Sequence, residues 1–129
     1  MGQPAAKQGD KIVAVDTHIV VAPPAPPQPL PHPFVGTING GLSGDVNIMG
    51  MPAATADSTA DNTLAHIPTP PGVAFQAPPS NKGRITIGSP TVMINGKMAA
   101  RNGDVAMTCN DPTDLPVGQV IAAGTVLIG

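Results

Sequence analysis

The sequence predicts a small all-β protein made of three related β-hairpin units around a common axis. Three observations lead to this prediction: a motif repeated at fixed spacing, alternating apolar strands that end each copy, and a composition poor in helix formers. Glutamate, tryptophan and tyrosine are absent, whereas β-branched residues and glycine are common. This composition favours strands and turns over helices.

The repeated motif is clearest at residues 92–104, which read V-M-I-N-G-K-M-A-A-R-N-G-D. Residues 46–54 repeat its first part with the same spacing, and residues 4–10 repeat its last part. A repeat at fixed spacing indicates that one structural unit recurs. A chain of 129 residues is the length of one domain. We therefore expect a single domain over residues 1–129, with units at about residues 4–50, 52–96 and 98–129.

Each unit contains a Gly-x-aliphatic step and then an alternating apolar strand. The steps begin at Gly36, Gly83 and Gly118. We expect each step to form a hairpin with the strand that follows it, over residues 34–48, 84–94 and 119–128. Alternation places two apolar residues on one face of each terminal strand, and these related faces can meet only around an axis. The paired residues are Val46 and Ile48, Val92 and Ile94, and Val126 and Ile128.

Two proline-rich segments, residues 23–33 and 68–79, interrupt the first two units. Proline lacks a backbone N–H and favours polyproline II, so both segments are predicted to be loops outside the sheet. The first segment is either a stiff connector or a rigid strut that carries His32 to a defined place.

Charge and hydropathy exclude several classes of protein. The net charge is −2 and no basic stripe is present, so nucleic acid is not an expected partner. The apolar run at residues 19–22 is too short for a signal peptide or a membrane span, which predicts a protein that starts in the cytoplasm. With 2 Phe the core is thin, and with 1 Cys no internal disulfide can form. A metal or a partner is therefore the expected source of added stability.

The sequence contains four strong candidate zinc ligands: His18, His32, His66 and Cys109. Three His and one Cys can form a closed tetrahedral site. His18, His66 and Cys109 occupy matching places in the three units and are expected to meet near the axis. His32 has no counterpart in the repeat and is expected to cap the site. The alternative is that each His is a surface or packed residue and that Cys109 is a small buried apolar group.

Catalysis is not expected. Asp10 and Asp104 follow glycine at matching positions, which is typical of residues that cap a turn. The chain has none of the common hydrolase motifs, and a zinc ion with four protein ligands has no open position for water. The alternative function is a small zinc-dependent hydrolase or a ligand-binding β-domain.

The repeated tetrapeptides resemble the signature of the PAAR-repeat (Pro-Ala-Ala-Arg) family. Residues 4–7 read P-A-A-K, residues 52–55 read P-A-A-T and residues 98–101 read M-A-A-R. The longer pattern over residues 83–104, with its alternating strand and terminal A-A-R-x-G-D, is also similar to that family. No copy has all four letters, since Lys7 and Thr55 replace Arg and Met98 replaces Pro.

The resemblance implies a small β-rich cone that caps the trimeric β-helix of a type VI secretion system or related contractile injection machine. It implies one chain per trimer of a VgrG-like spike protein, a non-enzymatic role in piercing a target membrane, and recruitment of effector proteins. It also implies a structural Zn²⁺ held by three His and one Cys, here His18, His32, His66 and Cys109. Such a protein is assembled in the cytoplasm and then secreted or injected with the spike.

Overall fold

The computed structural model describes residues 2–68, 70 and 72–129. Regular structure in these residues consists of strands and contains no helix, which confirms the predicted all-β class. For the same residues, no helix is long and apolar enough to cross a membrane. The strands of the described residues are β1 (Gln3–Pro4), β2 (Lys11–Ala22), β3 (Ala25–Gly40), β4 (Asn47–Ile48), β5 (Met51–Pro52), β6 (Thr59–Asn62), β7 (Ala74–Phe75), β8 (Lys82–Ile85), β9 (Met93–Ile94), β10 (Lys97–Met98), β11 (Val105–Thr108), β12 (Leu115–Ile121) and β13 (Leu127–Ile128).

The longer strands form a closed antiparallel ring in the order β2, β3, β6, β8, β11, β12 and back to β2. Pairs that belong to one sequence unit, such as β2 with β3, alternate with pairs that join two units, such as β3 with β6. Strand β7 pairs with the end of β2 that extends beyond this ring. Closure leaves the ring without an edge strand where units meet.

The hairpin partners differ from those expected. Strand β4 pairs with β5, and β9 pairs with β10, so neither folds back onto the preceding Gly-x-aliphatic strand. The cause is a two-residue turn in which both residues have positive φ, at Met49-Gly50 and again at Asn95-Gly96. Such a turn pairs the residues on its two sides. The third terminal strand, β13, pairs with β1 instead. The hairpins predicted over residues 34–48, 84–94 and 119–128 are therefore wrong.

The small ladders meet in a second core at one end of the ring, which we call the base. Its buried members are isoleucines from the three terminal strands and the first alanine of each tetrapeptide: Ile48, Ile94, Ile128, Ala5, Ala53 and Ala99. Val92 packs against them, while Val46 and Val126 are 36% and 40% exposed. The predicted meeting of three related faces thus takes place through the isoleucines.

The second alanine of each tetrapeptide lies on the axis of the ring. Ala6 donates its N–H to the Ala100 carbonyl, Ala100 donates to Ala54, and Ala54 donates to Ala6, at 2.9, 3.0 and 3.0 Å. All three residues are fully buried. The close approach of three backbones, together with complete burial, favours a small side chain at this position in every copy.

The turn after each tetrapeptide is held by its fourth residue and the residue three positions later. The N–H of Lys7 donates to Asp10, and the N–H of Arg101 donates to Asp104, as expected for Asp at a turn. Both side chains also form ion pairs with those carboxylates. In the second unit the N–H of Thr55 donates to the Ser58 hydroxyl instead. The second unit thus lacks both members of the ion pair, since Thr55 stands in place of the basic residue and Ser58 in place of the aspartate.

The main core is centred on Phe34, which is fully buried. Two of the repeated glycines lie close against this ring. A Cβ on Gly36 would lie 2.6 Å from Phe34 Cε1, and a Cβ on Gly83 would lie 3.3 Å from Phe34 Cζ. The aliphatic residues of the three steps surround the same core: Ile38, Ile85 and Val120.

The first proline segment is not a loop outside the sheet, and that prediction is wrong. Residues 25–33 form the first part of β3 and pair with β2. The N–H and C=O of Val35 point away from β2, since they bond to Asn62 and Thr63. By strand alternation the nitrogens of Pro29, Pro31 and Pro33 also point away from β2, so this ladder does not need their missing N–H groups.

The second proline segment is also partly strand, because β7 lies within residues 68–79 and pairs with β2. Thr69 and Pro71 of this segment lie outside the described residues.

Candidate metal centre

The extended part of the β2–β3 hairpin carries the first candidate ligands. Asp16 lies opposite His32 in the ladder, and His18 lies opposite Leu30. Residues two apart on a strand share a face, so Asp16, His18 and His32 lie on the same side of the hairpin. His66 comes from the segment after β6, and Cys109 directly follows β11. Each unit thus supplies at least one candidate ligand, at the point where its strand leaves the ring.

The structure brings Asp16, His18, His66 and Cys109 into one cluster. Their ligand-type atoms lie within 4.8 Å of one another. His32 is outside this 4.8 Å group, but its ring is close to the other two histidine rings. The ring centroids are 5.7 Å apart for His18 and His32, 5.6 Å for His32 and His66, and 4.9 Å for His18 and His66. The three predicted histidines and Cys109 therefore lie in one region, together with an aspartate that was not predicted.

The cluster fits a zinc ion by two observations. Zinc binds imidazole nitrogen at about 2.0–2.1 Å in tetrahedral geometry, which places the centroids of its imidazole ligands about 5 Å apart. The observed separations of 4.9–5.7 Å agree with this value. Both ring nitrogens of His18 are buried and have no hydrogen-bond partner in the described structure. An unpaired buried polar atom is costly, and a bound metal would satisfy it.

Each histidine also has an oxygen atom near one of its ring nitrogens. His66 Nε2 lies 2.8 Å from Asp16 Oδ2, and His32 Nδ1 lies 2.9 Å from the Leu30 carbonyl oxygen. His18 Nδ1 lies 3.5 Å from Asp111 Oδ2, too far for a good hydrogen bond. Metal-binding histidines usually donate their second ring N–H to a carboxylate or a carbonyl. The arrangement at His66 and His32 follows this pattern.

In the metal-free protein, the protonation state of His32 favours metal binding, whereas that of Cys109 opposes it. Burial lowers the pKa of His32, and the neighbouring His66 and His18 lower it further, against the effect of the Leu30 carbonyl. Its ring is therefore neutral at pH 7, the form that binds metals. Without a metal, burial raises the pKa of the Cys109 thiol to about 11, and the negative charge of Asp16 also raises it. Zinc would have to displace this proton to bind the thiolate.

Asp16 is the residue of this cluster that sequence reasoning missed. It is fully buried, and it accepts hydrogen bonds from Thr108 Oγ1 and Cys109 Sγ in addition to its contact with His66. The sequence contains a signal for this residue, the pattern Asp-x-His at residues 16–18. Residues two apart on a strand face the same side, so Asp16 must share a face with His18.

An open groove of about 660 Å³ lies beside this cluster. His32 and His66 form part of its wall, and several of the other lining residues are apolar, including Val35, Leu64 and Ile67. Leu64 and Ile67 are 82% and 77% exposed, so this wall is largely open to solvent.

The fold and the cluster define a small all-β protein with a buried group of metal-binding side chains. The family model for the PAAR motif matches residues 76–129. This match confirms the resemblance seen in the sequence and supports membership of the PAAR-repeat family. A comparison with curated proteins gives no significant match.

Proposed function

We propose that this protein is the non-enzymatic tip of a contractile injection spike, such as that of a type VI secretion system. One chain would cap a trimer of a VgrG-like spike protein. The observation that carries this proposal is the base, where one chain repeats the same contacts three times around an axis. The cyclic hydrogen bonds of Ala6, Ala54 and Ala100 define that axis.

The surface of the base supports a protein partner. Buried isoleucines of the three terminal strands hold the small ladders together, while their neighbours present apolar side chains to solvent. The exposed apolar residues of these ladders and their flanks are Val46, Met49, Met51, Met93, Val126 and Leu127. Apolar surface contributed by all three units suits a partner that presents one surface three times. The end of a trimeric β-helix has such a surface, with three strand edges that need to be covered.

We further propose that His18, His32, His66 and Cys109 hold a structural Zn²⁺. The ion would cross-link the three units at the end of the domain where the β2–β3 hairpin extends beyond the ring. That end has little apolar core, so a metal would add rigidity that burial cannot. With four protein ligands the ion would have no open position for water, so this site would not catalyse hydrolysis.

The protein would join the spike in the cytoplasm, leave the cell with it and contact the target membrane only transiently during piercing. It would carry effector proteins bound to its surface, and with a net charge of −2 it is not expected to bind nucleic acid.

The test is the stoichiometry of the complex. Co-expression with trimeric spike proteins of the same organism, followed by native mass spectrometry, should give three spike chains to one chain of this protein. A complex of three to three, or a stable homotrimer of the free protein, would contradict the proposal. The contact should also survive high salt, because it is largely apolar and is not built from ion pairs.

The groove beside His32 and His66 favours one alternative, a ligand-binding or hydrolytic domain with zinc at its wall. The two functions differ in the coordination of the metal. X-ray absorption of the zinc-loaded protein should show four protein ligands for the tip, and three protein ligands with one water for an enzyme. Hydrolytic turnover of ester, phosphoester, peptide or glycan substrates that depends on His66 would favour the enzyme.

A further inference from the structure

We infer that Asp16 is a positioning residue of the metal centre, which orients His66 and balances the charge of the ion without binding it. This inference rests on the proposed zinc site and extends it to a residue outside the ligand set His18, His32, His66 and Cys109.

Several hydrogen-bond donors surround the Asp16 carboxylate. Oδ1 accepts from the Thr108 hydroxyl, and Oδ2 lies 2.8 Å from His66 Nε2 and 3.4 Å from Cys109 Sγ. Thr108 thus fixes one oxygen of Asp16 and directs the other oxygen at two of the candidate ligands. A histidine whose Nε2–H donates to a carboxylate has its tautomer fixed and becomes a better ligand through the other nitrogen.

The burial of Asp16 has an electrostatic cost. Asp16 is fully buried, and in the described structure its basic partner is the imidazole of His66. Five of the six lysines and arginines pair with other aspartates, and Lys11 donates to the Thr37 hydroxyl. A buried carboxylate without a permanent positive charge nearby is costly. Zn²⁺ with one thiolate carries a net charge of +1, and Asp16 would cancel it. The burial of Asp16 is therefore explained by a cation in this cluster.

His32 has a partner equivalent to the one that Asp16 provides for His66. Its Nδ1 lies 2.9 Å from the Leu30 carbonyl, on the same hairpin face as Asp16. The Leu30 carbonyl thus plays for His32 the role that the Asp16 carboxylate plays for His66. Such outer partners change metal affinity by about 10–100-fold when they are removed.

The test compares the wild-type protein with Asp16→Asn, which keeps the shape of the side chain and removes its charge. Asp104→Asn is the matched control, since Asp104 is also buried but pairs with Arg101 rather than with a candidate ligand. Zinc affinity is measured by competition with a chelator on the folded, metal-free proteins. The Co²⁺ spectrum reports the ligand set independently of affinity.

We expect Asp16→Asn to bind zinc about 10–100-fold more weakly, with Asp104→Asn close to the wild type. The thiolate-to-Co²⁺ charge-transfer band and the d–d bands should keep their positions in Asp16→Asn, because its ligands are unchanged. Equal zinc affinity of Asp16→Asn and the wild type would overturn the inference. A shift of the d–d bands, or a carboxylate oxygen in the X-ray absorption of the wild type, would overturn it as well, because Asp16 would then be a ligand.

If Asp16→Asn does not fold, Thr108→Val provides the same test. It removes the donor that fixes Asp16 and should also weaken zinc binding at constant Co²⁺ band positions, and an unchanged affinity would contradict the inference. A wild-type protein that binds no zinc would instead refute the proposed metal site itself, so the two failures are distinguishable.

Discussion

His32 lies directly opposite Asp16 in the antiparallel ladder of β2 and β3, so the two side chains share one face of the hairpin. One is a predicted ligand on a proline-rich strand, and the other is a buried acid that contacts two further predicted ligands, His66 and Cys109. The pairing is possible because the prolines on either side of His32 direct their nitrogens away from β2. Strand register thus connects the proline segment to the candidate metal centre.

The first prediction concerns metal content and stability. The purified protein should contain about one zinc per chain by elemental analysis. Cys109→Ser should lose this zinc, because the hydroxyl is a poor ligand compared with a thiolate. At a free zinc concentration about 100 times the Kd, zinc should stabilise the wild type by about 3 kcal/mol and the variant far less. Calorimetry with and without a chelator measures the difference. A chelated wild type that is equally heat-stable would refute a structural role for the metal.

The second prediction tests the contact between Gly36 and Phe34. Gly36→Ala should destabilise the protein by about 1–3 kcal/mol, because the added methyl group overlaps the Phe34 ring. In a Phe34→Leu background the same change should cost clearly less, since the ring is gone. Chemical denaturation of the two single variants and the double variant gives the coupling energy.

The control for this cycle is Gly44→Ala. A Cβ at Gly44 would have no atom within 4 Å, so we expect a change within about 0.5 kcal/mol. Additive effects of Gly36→Ala and Phe34→Leu would show that the glycine is required for another reason.

The third prediction concerns the axis. Ala54→Val should destabilise the protein by about 1–3 kcal/mol, because Ala54 is fully buried within the hydrogen-bond cycle of Ala6, Ala54 and Ala100. Ala123→Val is the control, since Ala123 is exposed. Thermal unfolding compares the two. Similar melting temperatures for both variants would mean that the axis has free space and that the cycle does not restrict this position.

The fourth prediction separates spike binding from folding. Leu127→Asp and Met93→Asp place a charge on side chains that are 59% and 57% exposed at the base. Both variants should keep the wild-type melting temperature to within a few degrees and should lose co-purification with the trimeric spike. Leu64→Asp, at an 82% exposed residue beside the candidate metal centre, should do neither. Loss of spike binding in Leu64→Asp but not in the base variants would place the interface at the other end of the domain.

Several features of this protein follow from its sequence. The absence of Glu, the repeated tetrapeptide and the alternating terminal strands predicted an all-β chain, and the structure has no helix in its described residues. The repeat also predicted that the apolar faces of the three terminal strands would meet. Ile48, Ile94 and Ile128 share one core with Val92 packed against it, whereas Val46 and Val126 are partly exposed. These features depend on local periodicity, which a sequence displays directly.

The tertiary structure decided which strands pair and which groups surround the candidate ligands. Two terminal strands pair locally, across the turns Met49-Gly50 and Asn95-Gly96, and the third pairs with the distant β1, whereas each was expected to pair with the preceding Gly-x-aliphatic strand. Prolines entered β3 because the direction of a backbone N–H depends on register, and register is set by the partner strand. Asp16 became part of the cluster for the same reason, since its neighbours His66 and Cys109 are 50 and 93 residues away along the chain. Long-range pairing determines such contacts, and a local pattern does not contain them.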